Sequence, residues 1–224
     1  MTAMLASVNS LEEAQLIINT TIDIIDLKQP EQGALGALST DTVTQIVQFV
    51  NQQKPISATI GDLPMQADLV YNAVTAMTKT GVDYIKIGFF PDGDWQSIIT
   101  SLGTITQQGH RLIAVLFADT QPDLNTLKQL KKAGFIGVML DTMNKSKGSL
   151  LQVMPLTKID EFVTLARHHQ LLCGLAGSLK QQDISKLMPF NADYLGFRGA
   201  LCENHNRTAQ LNNDAINLIL SYFK

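Results

Sequence analysis

Charged side chains standing where a buried strand should be apolar are the first sign of chemistry in this sequence. In Ile22-Asp23-Ile24-Ile25-Asp26-Leu27-Lys28, Asp26 and Lys28 are two residues apart. The two-residue period of a strand puts both on one face. Tyr84-Ile85-Lys86-Ile87-Gly88 sets a lysine inside an apolar run, and Leu140-Asp141 ends another with Lys145 four residues on. Ala118-Asp119 and Phe197-Arg198 close two more. A buried Lys–Asp pair can be an internal ion pair without chemistry. Yet desolvation costs several kcal/mol per ion, so a whole cluster is an expensive way to stabilise a fold. Lys28, Lys86, Asp26, Asp141 and Lys145 are therefore the candidate catalytic group.

A lysine becomes a nucleophile when burial or a neighbouring cation lowers the pKa of its ammonium. Lys28, Lys86 and Lys145 could act on one another in this way. A neutral amine condenses with a carbonyl to a Schiff base, whose iminium is an electron sink for enolisation and carbon–carbon bond formation. Asp26 or Asp141 can shuttle the proton. This chemistry needs no metal and no cofactor. No spacing of His, Cys and carboxylates resembles a metal site. His110, His168 and His169 read as helix-end residues, and His205 falls in a loop after the last strand. Cys173 and Cys202 read as inert small side chains and make no disulfide framework.

A phosphate site is legible in two glycine-bearing segments, Gly174-Leu175-Ala176-Gly177-Ser178 and Gly196-Phe197-Arg198-Gly199-Ala200. Glycines let backbone N–H groups approach an anion, with help from a following helix. Gly177, Ser178 and Gly199 are the expected backbone contacts, with Arg198 adding a charge-assisted one. Gly33-Ala34-Leu35-Gly36 reads equally as a second cradle or a tight turn.

These residues need a scaffold that brings distant strands to one mouth. Eight β-type runs occur: Met4–Ser7, Ile22–Lys28, Ile56–Ile60, Tyr84–Phe89, Leu112–Ala118, Gly137–Thr142, Leu172–Ala176 and Tyr194–Arg198. Several are almost continuously apolar, as strands buried on both faces are. Between them lie helical windows at Leu11–Asn19, Asp41–Gln53, Gln66–Thr80, Asp94–Gln108, Asp123–Ala133, Pro155–His169, Lys180–Met188 and Thr208–Phe223. Ser10 and Glu13 form a capping box for the first. Gly81, Gly109 and Gly134 sit where helix C-caps belong. Eight strand–helix units in 224 residues predict a single-domain α/β fold, a TIM (β/α)8 barrel over 1–224. Asp26, Lys28, Asp141 and Lys145 then lie at or near a strand's C-terminal end, where barrels keep their active sites, with Lys86 inside the fourth strand. The long connections Gln29–Thr40 and Met143–Met154 fall on that same face.

Composition agrees. The chain is 45% hydrophobic and 17% charged, which rules out disorder for its bulk. A net charge of −3 without a basic block argues against a nucleic-acid partner. No run of 18 apolar residues is present, and Met1–Leu11 lacks a basic leader, so neither a membrane nor export is expected. A cytoplasmic protein with a small-molecule partner is expected, and homo-oligomerisation is left open.

The motifs Asp26-Leu27-Lys28-Gln29-Pro30 with Gly33 and Leu35-Gly36-Ala37 resemble the signature of the (5-formylfuran-3-yl)methyl phosphate synthases, also called 4-(hydroxymethyl)-2-furancarboxaldehyde-phosphate synthases. The likeness continues at Tyr84–Gly88, Phe117–Asp119, Met139–Thr142 with Lys145 and Gly148, Gly174–Ser178 and Gly196–Ala200. It implies a TIM-barrel lyase of methanofuran-type cofactor biosynthesis. Such an enzyme condenses two molecules of glyceraldehyde 3-phosphate into a furan phosphate, with loss of phosphate and water. It also implies Lys28 as the Schiff-base residue, Lys86 as proton acceptor, and support from Asp26, Asp141 and Lys145. The residues alone leave the roles of Lys28 and Lys145 exchangeable. They also leave open a class I aldolase-like sugar-phosphate enzyme or a non-catalytic phosphate-binding barrel.

Overall fold

The structure, a computed structural model, describes residues 1–223. Its eight strands are β1 (Ala3–Val8), β2 (Ile24–Leu27), β3 (Ile56–Thr59), β4 (Tyr84–Phe89), β5 (Leu112–Phe117), β6 (Gly137–Asp141), β7 (Leu172–Leu175) and β8 (Tyr194–Phe197). They close in chain order into one parallel barrel, β8 pairing back onto β1 with Ala3 opposite Tyr194. The helices are α1 (Leu11–Ile17), α2 (Thr40–Val50), α3 (Ala67–Thr78), α4 (Trp95–Gln107), α5 (Thr126–Lys132), α6 (Leu150–Val153), α7 (Leu156–His168), α8 (Gln181–Leu187) and α9 (Asn213–Leu220). The (β/α)8 expectation holds. No helix among the described residues is long and apolar enough to cross a membrane.

Strand alternation divides the apolar residues between two cores. Ala6, Ile25 and Ile87 face outward and pack with helix residues such as Val43, Ile46 and Val50. Leu5, Ile113, Val115, Met139 and Tyr194 fill the barrel interior. Side-chain oxygens cap several helices: Ser39 receives Thr42 N–H at 3.1 Å, Asp94 receives Ser97 N–H at 3.0 Å and Asn212 receives Ala215 N–H at 3.0 Å. Helices α3, α4 and α5 are followed by Gly81, Gly109 and Gly134 at φ +85°, +92° and +87°, the left-handed turn that favours glycine.

An aspartate immediately before β2, β4 and β8 laces the opposite, N-terminal end. Asp23 accepts Met4 N–H of β1, Asp83 accepts Ile56 N–H of β3, and Asp193 accepts Cys173 N–H of β7, each at 2.7–2.8 Å. The Asp23 contact lies just ahead of β2. Lys54 Nζ also takes the carbonyls of Thr20 and Ile22, at 2.8 and 2.6 Å, so β2 begins at Ile24 rather than Ile22. It ends at Leu27, leaving Lys28 one residue beyond the strand. The last helix starts at Asn213 rather than Thr208, because Cys202 and Leu211 bridge antiparallel and hold the intervening loop closed.

Candidate active site

The five charged candidates converge on one cavity at the C-terminal mouth, about 350 Å³ in volume. Asp26, Lys86 and Asp141 come from β2, β4 and β6, and Lys28 and Lys145 from the segments that follow β2 and β6. They form two linked groups.

The deeper group is Lys86 and Asp26, whose Nζ and Oδ1 are 2.5 Å apart with side chains only 2% and 1% exposed. Ser57 Oγ donates to Asp26 Oδ1 at 2.6 Å and Ser7 Oγ to Asp26 Oδ2 at 2.8 Å. Burial pushes the Asp26 carboxyl up, but Lys86 and Lys28, with the Lys86 and Ser57 hydrogen bonds, outweigh it and hold it below its ordinary range. The carboxylate is thus satisfied on both oxygens, as a buried charge must be.

The outer group is Asp141 between two lysines. Lys145 Nζ lies 2.5 Å from Oδ1 and Lys28 Nζ 3.8 Å from Oδ2. Burial again opposes ionisation of Asp141, yet Lys145 and Lys28 bring its carboxyl down to about 2. The lysines differ in engagement. Lys145 Nζ donates to Asp141 Oδ1 and Thr142 O, each at 2.5 Å, and to Thr142 Oγ1 at 3.3 Å. Among the described residues Lys28 Nζ has only the 3.8 Å approach. Burial lowers its amine to about 8, with Lys145 and Lys86 adding to the fall and Asp141 and Asp26 resisting it.

The glycine segments after β7 and β8 line the same cavity. Gly177 has φ +107°, and a Cβ there would lie 2.8 Å from Thr142 Cγ2, so no side chain fits where the two loops meet. Its carbonyl accepts Leu150 N–H at 2.8 Å, while the N–H groups of Gly177, Ser178 and Gly199 find no acceptor among the described residues. Asp183 takes Lys180 N–H at 2.9 Å, capping the start of α8.

Arg198 is placed differently from expectation. Its guanidinium is a fork of five N–H donors, and the protein occupies it throughout. Both Nη atoms bond the Glu13 carboxylate, and further bonds reach Ser7 O at 3.1 Å, Arg207 O at 2.8 Å and Ala209 O at 3.0 Å. Arg198 borders the cavity but holds the loop after β8 to the start of α1. The expected direct contact with a ligand phosphate has no free donor behind it. The Gly33–Gly36 segment proves to be a fixed turn, because Asp62 takes the Ala34 and Leu35 N–H groups at 2.7 Å each.

Sequence reasoning missed Ser7 and Ser57, which look like ordinary small strand residues, and Arg207, which reaches the mouth from the loop after β8. That loop's position on the functional face was the available signal. Asp119, noted only as a strand end, fixes the β6 loop by accepting Met143 and Asn144 N–H at 2.7 and 2.9 Å.

A closed (β/α)8 barrel with lysines and carboxylates gathered at its C-terminal mouth has the layout of barrel enzymes. Residues 4–219 match the sequence model of the 4-HFC-P synthase family, and the chain belongs to that family. It is 38% identical over 209 residues to a Methylorubrum extorquens protein provisionally named a (5-formylfuran-3-yl)methyl phosphate synthase, covering 93% of this chain and 86% of that one. The (5-formylfuran-3-yl)methyl phosphate synthase of Methanococcus maripaludis strain C5 is 29% identical, with 99% of each chain covered. Among solved structures, 3-hexulose-6-phosphate synthase from Salmonella typhimurium superposes with a TM-score of 0.68 at 14% identity, covering 99% of this chain and 100% of that one. At that identity it speaks for the fold alone.

Proposed function

We propose that this chain is a (5-formylfuran-3-yl)methyl phosphate synthase of methanofuran-type cofactor biosynthesis, a lyase that joins two molecules of glyceraldehyde 3-phosphate through a Schiff base on Lys28. Family membership and the names of the relatives support the product. Two trioses minus the furan phosphate leave one phosphate and two waters, so no oxidant or reductant is required.

The observation that carries the choice of lysine is the contrast between Lys28 and Lys145. A nitrogen already donating to three oxygens, as Lys145 is, has no lone pair free for a carbonyl. Lys28, buried and lowered to about 8, offers one. At pH 7.5 about a quarter of such amines are neutral, against about one in a thousand for an ordinary lysine.

In this reading Lys28 attacks the first aldehyde, and the carbonyl oxygen leaves as water, protonated by the Lys145–Asp141 pair. The iminium withdraws electrons from the neighbouring carbon. The Lys86–Asp26 pair on the cavity floor takes the proton from that carbon. The resulting enamine carbon attacks the second aldehyde. Backbone N–H groups of Gly177, Ser178 and Gly199 hold a substrate phosphate, and Arg198 shapes their loop.

Product analysis with glyceraldehyde 3-phosphate as sole substrate tests the assignment. Furan phosphate with one inorganic phosphate per product is expected. A sugar phosphate instead would make the chain an aldolase, and binding without turnover would make it a phosphate-binding barrel.

A further inference from the structure

The mouth carries a second guanidinium, and nothing among the described residues neutralises it. Arg207 lies in the loop between Cys202 and Leu211, whose ends bridge antiparallel and whose Glu203 N–H bonds Gln210 O at 3.0 Å. The loop backbone is held from within by Arg198, which bonds Arg207 O and Ala209 O. Arg198 is in turn neutralised by Glu13. The backbone of Arg207 is therefore anchored by a cation already paired elsewhere.

Its side chain is not so committed. One Nη of Arg207 donates to Gly33 O at 2.8 Å, and among the described residues its other donors find no partner. Among the described residues no carboxylate stands within ion-pair distance of it. Burial lowers its pKa, with Asp141 and Asp62 opposing. A half-buried arginine bordering a cavity without a counter-ion leaves a positive site there. Its planar fork suits a phosphate group bidentately.

The other cations of the cavity reinforce this. Asp26 offsets Lys86, Glu13 offsets Arg198, and one Asp141 serves both Lys28 and Lys145. Counting Arg207 and the exposed Lys180, which also lines the cavity, about three positive charges stand there beyond those that Asp26, Asp141 and Glu13 neutralise. Gly199 and Arg207 share the loop after β8, but the Arg207 guanidinium reaches to Gly33 O in the segment after β2, whereas Gly177 and Ser178 follow β7.

We propose that Arg207 is the ligand of a second phosphate monoester in this cavity, separate from the phosphate on the Gly177–Ser178 and Gly199 backbone. The proposal rests on the furan phosphate synthase reading, because joining two phosphorylated aldehydes puts two phosphates in one cavity before either is lost. The Gly33 contact gives Arg207 a fixed direction from which to meet the second substrate.

The test uses the full-length protein and its Arg207→Gln and Arg207→Lys variants. Inorganic phosphate is titrated calorimetrically into each, and turnover of glyceraldehyde 3-phosphate is measured in parallel. Only one side-chain contact is removed, so thermal unfolding of both variants should match wild type. Wild type should take up two phosphates. Arg207→Gln should bind one as before and the other at least about 10-fold more weakly. Its KM should rise about 10- to 100-fold with kcat within a few-fold, and Arg207→Lys should recover part of the loss. If Arg207→Gln binds phosphate as wild type does, Arg207 only ties two loops together and the proposal fails. The phosphate titration needs no turnover. If wild type makes no furan, the reading of the reaction falls, while the titration still decides the role of Arg207.

Discussion

Lys86 and Asp26 form a 2.5 Å ion pair on the floor of the barrel mouth, each almost wholly out of water. Such pairs are costly to half-remove, because the surviving charge keeps its burial and loses its partner. Lys86→Met should therefore destabilise the protein by about 3–5 kcal/mol as well as abolish turnover. Lys86→Met combined with Asp26→Leu removes both charges and should regain most of that stability, yet stay inactive. Urea unfolding of wild type, single and double variants checks this. A double variant no more stable than the single would mean the pair is not an isolated electrostatic unit.

Lys28 should behave in the opposite way. Its amine is lowered to about 8 in the folded protein, against about 10.4 in an unfolded chain. The unfolded chain then binds more protons between these values, so this group makes stability rise with pH from about 8 to 10, with its full penalty present below 8. Lys28→Met relieves the penalty at neutral pH. It should leave stability equal or higher, flatten the alkaline rise, and cut kcat/KM at least about 1000-fold. Denaturant midpoints at pH 7 and pH 10 make the comparison. A marked loss of stability at pH 7 would show that Lys28 supports the fold.

The rate of adduct formation should climb with pH on an apparent pKa near 8, since only the neutral amine attacks. Neighbours should move that limb in opposite directions. Lys145→Met removes a cation that lowers Lys28 and frees Asp141 to face it, so the limb shifts to higher pH. Asp141→Asn removes an anion that raises Lys28, so the limb shifts to lower pH. Stopped-flow rates across pH 6 to 10 distinguish the two. Shifts in one common direction would place the titrating amine elsewhere.

Arg198 is tied to Glu13 and three carbonyls. Arg198→Ala should thus cost about 3–5 kcal/mol of stability by stranding a buried carboxylate. Any fall in phosphate affinity should accompany a loosened loop. A thermal melt unchanged from wild type, with phosphate binding lost, would restore Arg198 as a direct ligand.

The barrel was readable because apolar strand runs alternate with capped helices, and because Asp26 and Lys28, or Asp141 and Lys145, carry charge where an interior strand has no structural need of it. Contacts made across the chain were not readable. Arg198 meets Glu13 across 185 positions. Glu13 was already explained locally as the capping-box partner of Ser10, and its carboxylate in fact reaches back to Asn9 N–H while holding Arg198. The late start of β2 likewise depends on Lys54, more than twenty residues downstream. Local pattern places a residue on the barrel's functional face, but which partner claims its donors is decided by packing between distant segments.

The central claim is that Lys28 is the amine that bonds covalently to substrate. Incubating the protein with glyceraldehyde 3-phosphate, reducing with borohydride and mapping the peptides by mass spectrometry tests it directly. The account predicts a substrate-derived mass on Lys28, absent without borohydride, and no comparable mass on Lys145 or Lys86. A reduced adduct on Lys145 with Lys28 unmodified, or labelling scattered over exposed lysines, would contradict it.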